Sequence, residues 1–403
     1  MKILHTADWH IGKMLYKYDL NEDLKLFFDW LIDYVTTENI DLLLVAGDIF
    51  DLANPSNRDI RFYYEVLYRL NQSKTKVIIT GGNHDSISML DAPKNILNSF
   101  QIQVVGGVPD QIEEEIIPIY DAENQLQCVV LAVPFLRDKD LRKSVSADID
   151  QNKAAIEKAA IKAHYDQLVE ISLSKYGADT PIIAMGHLFM QGAETSDSER
   201  DIHIGNLGGI SSDIIHSRID YMALGHIHKP QRIGKSDKIR YSGSPIFLDF
   251  SERNYEKQVI EIKIEQQKII DIQSIKVPKN RELVKFSGDF KKIEQQLMHY
   301  QPENRLTALV ELEIVEDQFD PSIINLQNEL TEAAPFGNYK IIKTRLSFKN
   351  KLENIELLAN HEHIMNFSPK EVFQKRLDAE IIDATLRQEL MEAYHILLEE
   401  MQD

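Results

Sequence analysis

The chain has 403 residues, of which 43% are hydrophobic, so it can bury a sizeable core and is long enough for two or three domains. It carries 45 basic and 64 acidic residues, a formal net charge of -19. A surface with this charge repels phosphate backbones on average, which excludes a module that only binds DNA. The single cysteine, Cys128, excludes an intramolecular disulfide and a thiolate metal cluster, and it suits a reducing compartment.

The first residues, MKILHTADWH, contain no apolar run long enough for a signal peptide. No later stretch approaches the roughly 18 uncharged residues of a membrane span. We therefore expect a soluble, cytoplasmic protein that does not contact a membrane.

Residues 1–275 alternate short apolar runs with amphipathic segments, a pattern typical of α/β layers. Six runs predict strands, because each is short, often β-branched and followed by glycine or polar residues: KILHTA, DLLLVAG, KVIITGG, CVVLAVP, PIIAMGH and DYMALGH. Between them, one helical face is formed by Leu24, Phe27, Leu31 and Val35. A second face has two interpretations, core packing or contact with a second copy of the chain, and consists of Ile60, Tyr63, Leu67 and Leu70.

Beyond residue 275 the pattern predicts a small α+β domain over 276–348. Its strands and helices alternate in the order LVKFSG, FKKIEQQLMHY, LTALVELEIV, PSIINLQNELTEA and YKIIKTRLSF. These segments contain no cluster of catalytic residue types, so we expect the domain to shape the site rather than to react.

From residue 349 the sequence is helical and acidic, with 6 basic and 12 acidic side chains over 347–403. Two capping boxes mark helix starts, one formed by Ser368 and Glu371 and the other by Thr385 and Gln388. Such terminal helices cover apolar surface, either on their own body or in a groove of another protein. The sequence leaves both alternatives open.

Residue types that bind metals recur at the ends of the predicted strands. The stretch TADWHIG places Asp8 and His10 two positions apart, and four fragments follow it: Gly47-Asp48, Gly82-Asn83-His84-Asp85, Gly186-His187 and Gly225-His226-x-His228. In an open α/β architecture, ligands bind at loops that follow the carboxyl ends of strands. The five fragments can therefore converge although they are far apart in sequence.

The candidate ligands form a mixed oxygen and nitrogen set that suits Mn²⁺, Fe²⁺ or Zn²⁺ better than Ca²⁺. They are Asp8, His10, Asp48, Asn83, His187, His226 and His228. Seven ligands are too many for one ion and suit two, bridged by one carboxylate across about 3.5–4 Å. Asp48 is the natural bridge.

These five motifs resemble those of the calcineurin-like metallophosphoesterases. The surrounding sequences, LHTADWHIGK, LLLVAGDIFD, SDSERDIHIG and DYMALGHIHKPQ, resemble more narrowly the SbcD family of bacterial nuclease subunits. The resemblance implies a two-sheet α/β sandwich flanked by helices over 1–275 and a capping domain over 276–348. It further implies that the helical pair over 349–403 binds an SbcC-type ATPase.

The resemblance also implies roles for the site residues. One ion would be held by Asp8, His10, Asp48 and His228, and the other by Asp48, Asn83, His187 and His226. The ions would be Mn²⁺ in the first place, with Mg²⁺, Fe²⁺ or Zn²⁺ as alternatives. His84 would stabilise or protonate the departing oxygen. Asp85 could orient that imidazole or be an ordinary loop acid.

The activity implied by the resemblance is 3′ to 5′ exonuclease action on double-stranded DNA ends and endonuclease action on single strands and hairpins. The ATPase and a homodimer within a heterotetramer would be its partners in DNA repair, recombination and replication. The loop KMLYKYD interleaves Lys13 and Lys17 with Tyr16 and Tyr18, which suits either contact with a DNA end or an ordinary solvated loop.

Two other functions are compatible with this scaffold. One is hydrolysis of a small-molecule or protein phosphoester, because fold and metals do not specify the leaving group. Against it, Leu52 in GDIFDLA stands where similar phosphoprotein phosphatases carry an arginine. The other is a catalytically dead scaffold, which predicts lost ligands, whereas none is missing here.

Overall fold

The computed structural model describes residues 1–144, 153–199, 209–234, 237–317 and 338–348, together with positions 323, 326, 330, 377, 390, 391 and 394. The chain divides into two compact units. The first comprises Met1–Lys285, Tyr300–Glu311 and Pro335–Lys343, and the second comprises Phe286–His299, Leu312–Ala334 and Thr344–Asp403. The sequence-based boundaries at 275 and 348 stay a prediction.

The strands are, in chain order, β1 (Lys2–Thr6), β2 (Met14–Leu15), β3 (Tyr18–Asp19), β4 (Leu42–Ala46), β5 (Lys76–Thr80), β6 (Ile102–Val105), β7 (Ile116–Tyr120), β8 (Leu126–Ala132), β9 (Ile182–His187), β10 (Ile219–Gly225), β11 (Gln231–Arg232), β12 (Ile239–Tyr241), β13 (Gln258–Glu265), β14 (Lys268–Lys276), β15 (Leu283–Gly288), β16 (Ala308–Glu316) and β17 (Tyr339–Phe348). The helices are α1 (Asn21–Thr37), α2 (Asn57–Gln72), α3 (Ile87–Asp91), α4 (Lys94–Asn98), α5 (Asp138–Ser144), α6 (Lys153–Tyr176) and α7 (Phe290–His299). Within the described residues, none of these helices combines the length and the apolar character that a membrane crossing requires.

Two six-stranded sheets form the scaffold of the first unit. One has the order β14-β13-β1-β4-β5-β6 and the other the order β11-β12-β10-β9-β8-β7. Strands β1, β4, β5 and β6 are parallel neighbours, as are β8, β9, β10 and β12. Parallel neighbours end at the same edge of a sheet, so each sheet has one edge where strand-terminal loops gather.

Both sheets are covered on both faces, which explains why their strands are continuous apolar runs rather than alternating ones. On β4, Leu42 and Leu44 join the core between the sheets, whereas Leu43 and Val45 face the helical side. The outer layer on the first sheet includes α1 and α2, and the outer layer on the second includes α6. The predicted two-sheet sandwich flanked by helices is confirmed.

The predicted helical faces are found in α1 and α2. Leu24, Phe27, Leu31 and Val35 of α1 are buried, as predicted. Helix α2 begins after Ser56, whose hydroxyl caps the Asp59 amide N–H.

The alternative interpretation of the α2 face, a contact between copies, is wrong for most of that face. Tyr63, Leu67 and Leu70 are 1%, 2% and 0% exposed within the chain's own core, and Ile60 is half-buried. The apolar spacing therefore reflects core packing.

The third sheet has the strand order β15-β16-β17. Three predicted strand segments and the helix FKKIEQQLMHY coincide with β15, β16, β17 and α7. The segment PSIINLQNELTEA and the two capping boxes near the carboxyl terminus lie largely outside the described residues.

Candidate metal centre

The predicted ligands follow the ends of five parallel strands drawn from both sheets. Asp8 and His10 follow β1, Asp48 follows β4 and Asn83 follows β5. On the second sheet His187 ends β9, while His226 and His228 follow β10. The backbone holds these loops together: the amide N–H of Asp8 donates to Gly47 O at 3.1 Å and that of His10 to Asp48 O at 3.0 Å.

The approach of the two sheets leaves no room for side chains at two glycines. A Cβ at Gly225 would lie 1.8 Å from Ala46 O on the other sheet. At Gly47, where φ is +83°, a Cβ would lie 2.2 Å from Nδ1 of His187. Glycine is therefore required here for close approach, as well as for conformation at Gly47.

Four of the ligands themselves have left-handed backbone conformations. Their φ angles are 53° at Asp8, 47° at His10, 50° at Asp48 and 96° at His226. Such angles are uncommon for residues with a Cβ and cost of order 1–3 kcal/mol each where the surroundings enforce them. The strain is thus concentrated where the side chains converge.

The convergence forms three overlapping groups with ligand atoms within 4.8 Å of one another. These groups are Asp8, His10 and His228; His10, Asp48 and His84; and Asp48, His187 and His226. Oδ2 of Asp48 lies 3.6 Å from Nε2 of His10 and 3.3 Å from Nε2 of His187. Asn83 joins through Oδ1, 2.9 Å from Nε2 of His187. All seven predicted ligands therefore lie together, with Asp48 in the middle.

Two features of this cluster fit bound cations better than internal hydrogen bonding. Oδ2 of Asp8 is buried and has no hydrogen-bond partner among the described residues, although burial of an unpaired carboxylate oxygen is costly. Nε2 of His10 lies 3.2 Å from Nε2 of His228, so two ring nitrogens face each other. Neutral imidazoles would present two lone pairs there, which suits a shared divalent ion.

Burial and mutual charge shift the protonation of this cluster. Burial lowers the pKa of His10 to about 4, which keeps its imidazole neutral and able to coordinate. Burial also raises the pKa of Asp8 to about 7, opposed by His187 and His228. At Asp48 burial acts upward, but His187 and His10 outweigh it and hold the pKa of Asp48 well below its usual range.

His84 faces the same centre. Its Nε2 lies 4.0 Å from Oδ2 of Asp48, and its backbone N–H donates to Oδ1 of Asp48 at 2.9 Å. Nδ1 lies 2.6 Å from the carbonyl oxygen of Asp51, so this nitrogen carries the proton and the ring orientation is fixed.

The predicted role of Asp85 as the group that orients His84 is not what the geometry shows. The Asp85 carboxylate accepts the backbone N–H groups of Ile49 at 3.1 Å, Phe50 at 3.0 Å and Gly82 at 2.8 Å. It therefore ties the loop after β5 to the loop after β4. The carbonyl of Asp51 orients the imidazole instead, because it is the group that reaches Nδ1.

A buried network behind His228 is absent from the sequence-based prediction. Nδ1 of His228 lies 2.6 Å from Ser198 Oγ and 3.1 Å from Glu252 Oε1. Oε2 of Glu252 accepts from Lys257 Nζ at 2.5 Å. Burial would raise the pKa of Glu252, but Lys257 and His228 hold it well below its usual range. A carboxylate of this kind sets the tautomer and orientation of a metal-binding histidine.

Two further histidines described by the structure have partners elsewhere, as expected of non-ligands. Nδ1 of His5 lies 2.9 Å from the hydroxyl of Tyr221, between the sheets. Nε2 of His164 lies 2.8 Å from Glu115.

Comparison with known proteins supplies two family matches. Residues 1–230 match the family model described as calcineurin-like phosphoesterase. Residues 279–380 match the model described as type 5 capsule protein repressor C-terminal domain.

Individual relatives carry the name of one nuclease. The chain is 31% identical over 399 residues to the SbcD component of nuclease SbcCD from Escherichia coli K12, covering 98% of this chain and 97% of the relative. It is 34% identical over 267 residues to the SbcD component of nuclease SbcCD from Rhodobacter capsulatus, covering 64% and 65% of the two chains. Among solved structures, a dimetal phosphatase from Danio rerio is similar over 69% of this chain and 99% of that chain, with 14% identity and a TM-score of 0.40.

Proposed function

The chain belongs to the calcineurin-like phosphoesterases and, within them, to the SbcD nucleases, and on this basis we propose that it is a metal-dependent DNA nuclease subunit. It is a metal-dependent phosphodiesterase with a dinuclear divalent metal site. The observation that carries the proposal is the convergence of four histidines, Asp8 and Asn83 around Asp48, with Oδ2 of Asp8 lacking a partner among the described residues.

The proposed ligand sets share Asp48. One consists of Asp8, His10, Asp48 and His228, and the other of Asp48, Asn83, His187 and His226. The short distances from Asp48 Oδ2 to His10 and to His187 support a bridging position. The mixed oxygen and nitrogen set supports Mn²⁺ ahead of Mg²⁺, Fe²⁺ or Zn²⁺.

Two ions held by these residues would supply positive charge that stabilises a phosphate during its hydrolysis. The protein's own contribution is to fix the ligands and to manage a proton at His84. With Nδ1–H donated to Asp51 O, Nε2 faces the centre, and in the doubly protonated imidazolium form it can donate its proton to the departing oxygen and become neutral. Asp85 acts indirectly by holding the loop that carries His84.

DNA is the proposed substrate, with 3′ to 5′ exonuclease action on duplex ends and endonuclease action on single strands and hairpins. The names of the relatives support a nuclease, and Leu52, 53% exposed, stands where an arginine would favour a phosphatase. The loop KMLYKYD supports DNA contact only in part. Lys13 is paired with Asp51 at 3.1 Å, whereas Tyr16 is 43% exposed.

The proposed partners are an SbcC-type ATPase, bound by the segment 349–403, and a second copy of the chain. The segment itself lies almost wholly outside the described residues, and the name of the relative supports an SbcC-type partner. Because Tyr63 and Leu67 are buried in the core, a homodimer contact on α2 would have to use its exposed face, where Tyr68 is 67% exposed. A reducing, cytoplasmic location is supported by Cys128, which is buried and unpaired.

The test is Mn²⁺-dependent cleavage of an end-labelled DNA hairpin and of a simple aryl phosphodiester by the wild type, His84→Ala and Asp48→Ala. We expect the wild type to cut both substrates and both variants to lose DNA cleavage. Cleavage of the small ester alone by the wild type, also after addition of the ATPase, would assign the enzyme to a non-DNA phosphoester.

A further inference from the structure

A second site lies in the first unit, on the far side of the network behind His228. A cavity of 490 Å³ is enclosed by the start of α1, the segment 245–257 and the connection 276–281. Phe27, Ile246 and Val277 form an apolar part of its wall. This volume is in the range of small-ligand sites and is large enough for one nucleotide.

The cavity has the opposite charge to the protein as a whole. Its lining contains five cationic side chains, Arg253, Lys257, Lys276, Lys279 and Arg281, and two carboxylates, Asp23 and Glu256. The whole chain carries a net charge of -19. A concave wall with a local excess of cations attracts anions even in an acidic protein.

Not all of these cations are committed to internal partners. Lys276 pairs with Glu256 at 2.7 Å, and Nε of Arg281 lies 2.8 Å from Asp23. Nη2 of Arg281 is buried, has no hydrogen-bond partner among the described residues and lies 3.9 Å from Oε2 of Glu22. Lys279 is exposed and Arg253 is half-buried. Two cationic groups, those of Lys279 and Arg253, can therefore meet a phosphate.

Two aromatic rings complete the lining. The half-buried ring of Phe247 has Lys257 Nζ at 5.3 Å and Lys279 Nζ at 5.6 Å from its centroid. The half-buried ring of Tyr255 has Lys257 Nζ at 5.7 Å. Aromatic faces next to cations are the combination that binds bases and phosphates of single-stranded nucleic acid.

The cavity is connected to the metal centre by a buried ion pair. Lys257 lines the cavity and donates to Glu252, and Glu252 contacts the metal ligand His228. A ligand that contacts Lys257 from the cavity therefore shares one hydrogen-bond network with the metal centre.

We propose that this cavity binds a nucleoside 5′-monophosphate unit, with the phosphate on Lys279 and Arg253 and the base against Phe247 or Tyr255. The unit is either a free mononucleotide or one nucleotide of a single strand. This inference deepens the proposed nuclease function and rests on it, because a nuclease both holds strands and releases nucleotides.

The test is calorimetric titration of the full-length protein with dAMP and with a six-residue deoxyadenosine oligonucleotide, in EDTA so that metal-bound phosphate does not contribute. We expect binding of at least one probe, weakened at least about tenfold by the double variant Arg253→Ala/Lys279→Ala. Phe247→Leu, which keeps an apolar side chain, should weaken binding by a similar factor. Lys268→Ala, which removes a cation at the opposite end of β14 from the cavity residue Lys276, is the matched control and should bind as the wild type does.

Each outcome decides the proposal. Equal binding of both probes, lost in the double variant, assigns the site to a mononucleotide. Binding of the oligonucleotide alone, lost in the same variant, assigns it to an internal nucleotide of a strand. Absence of binding, or binding that the double variant retains, overturns the proposal. Mn²⁺-dependent DNA cleavage is measured on the same protein preparations after EDTA is removed and Mn²⁺ is added, so failure of the nuclease assignment is seen separately.

Discussion

Replacement of Glu252 by glutamine is the sharpest test of the network behind the metal centre, because it keeps the side-chain shape and removes one charge. On one side Oε2 receives hydrogen bonds from Lys257 Nζ and from the backbone N–H of Leu248 at 3.1 Å. Both are donors only, so the amide NH₂ of glutamine has to face His228. In that position the NH₂ group donates a hydrogen bond to Nδ1 of His228. The imidazole then carries its own proton on Nε2, the nitrogen that faces His10.

Glu252→Gln should lower both the Mn²⁺ affinity and the free energy of unfolding. Loss of a partner that orients a metal-binding histidine typically costs 10–100-fold in metal affinity, so we expect the Mn²⁺ affinity to fall by about that factor. Lys257 would also keep its charge, 5% exposed, without a counter-charge. Breaking a buried ion pair in this way costs about 3–5 kcal/mol in the free energy of unfolding.

The double variant Glu252→Gln/Lys257→Met separates these effects. It removes both charges and should recover most of the stability, whereas the metal affinity should stay low because His228 still lacks its carboxylate. Thermal unfolding in EDTA measures the first quantity, and titration of the metal-free protein with Mn²⁺ measures the second. Wild-type Mn²⁺ affinity in either variant would refute the role given to Glu252.

Three further changes test other parts of the proposal. His84→Ala should lower turnover about 10²-fold or more while Mn²⁺ occupancy, measured by elemental analysis, is unchanged; loss of metal would place His84 among the ligands. Deletion of residues 366–403 should abolish binding of an SbcC-type ATPase in a pull-down and spare Mn²⁺-dependent cleavage of single-stranded DNA; a persistent complex would contradict this assignment. Tyr68→Glu should lower the mass in solution from dimer to monomer by light scattering, and an unchanged dimer would exclude the exposed face of α2.

The sequence contains enough information to predict that the candidate ligands converge, because each of them is local to a strand end. In β4 a run of apolar residues leads directly into Gly47 and Asp48, and β10 leads into Gly225 and His226. Parallel pairing brings strand ends together within each sheet, and packing of the two sheets on each other brings the end of β4 close to the end of β10. Because the strands are buried on both faces, their apolar runs are continuous, and such runs predict strands.

The errors concern contacts that depend on packing between distant segments. Asp85 is adjacent to His84 in sequence, but its carboxylate faces the backbone of Ile49 and Phe50 rather than the ring. Glu252 is 24 positions from its partner His228, and no periodicity links the two. The apolar face of α2 could not be assigned from sequence for a related reason. Residues that pack in the core and residues that form an interface recur with the same helical spacing.

The order in which the ligands appear along the chain has a consequence for biogenesis. Asp8 accepts a hydrogen bond from the backbone of His226, 218 positions later. During synthesis, Asp8 and His10 leave the ribosome long before His226 and His228 exist, and domains fold as their parts become available. A nascent chain therefore has no complete centre until residue 228 has emerged and the second sheet has paired. Both proposed ligand sets include histidines that end or follow strands of the second sheet, so full metal affinity would be reached only after both sheets are in place.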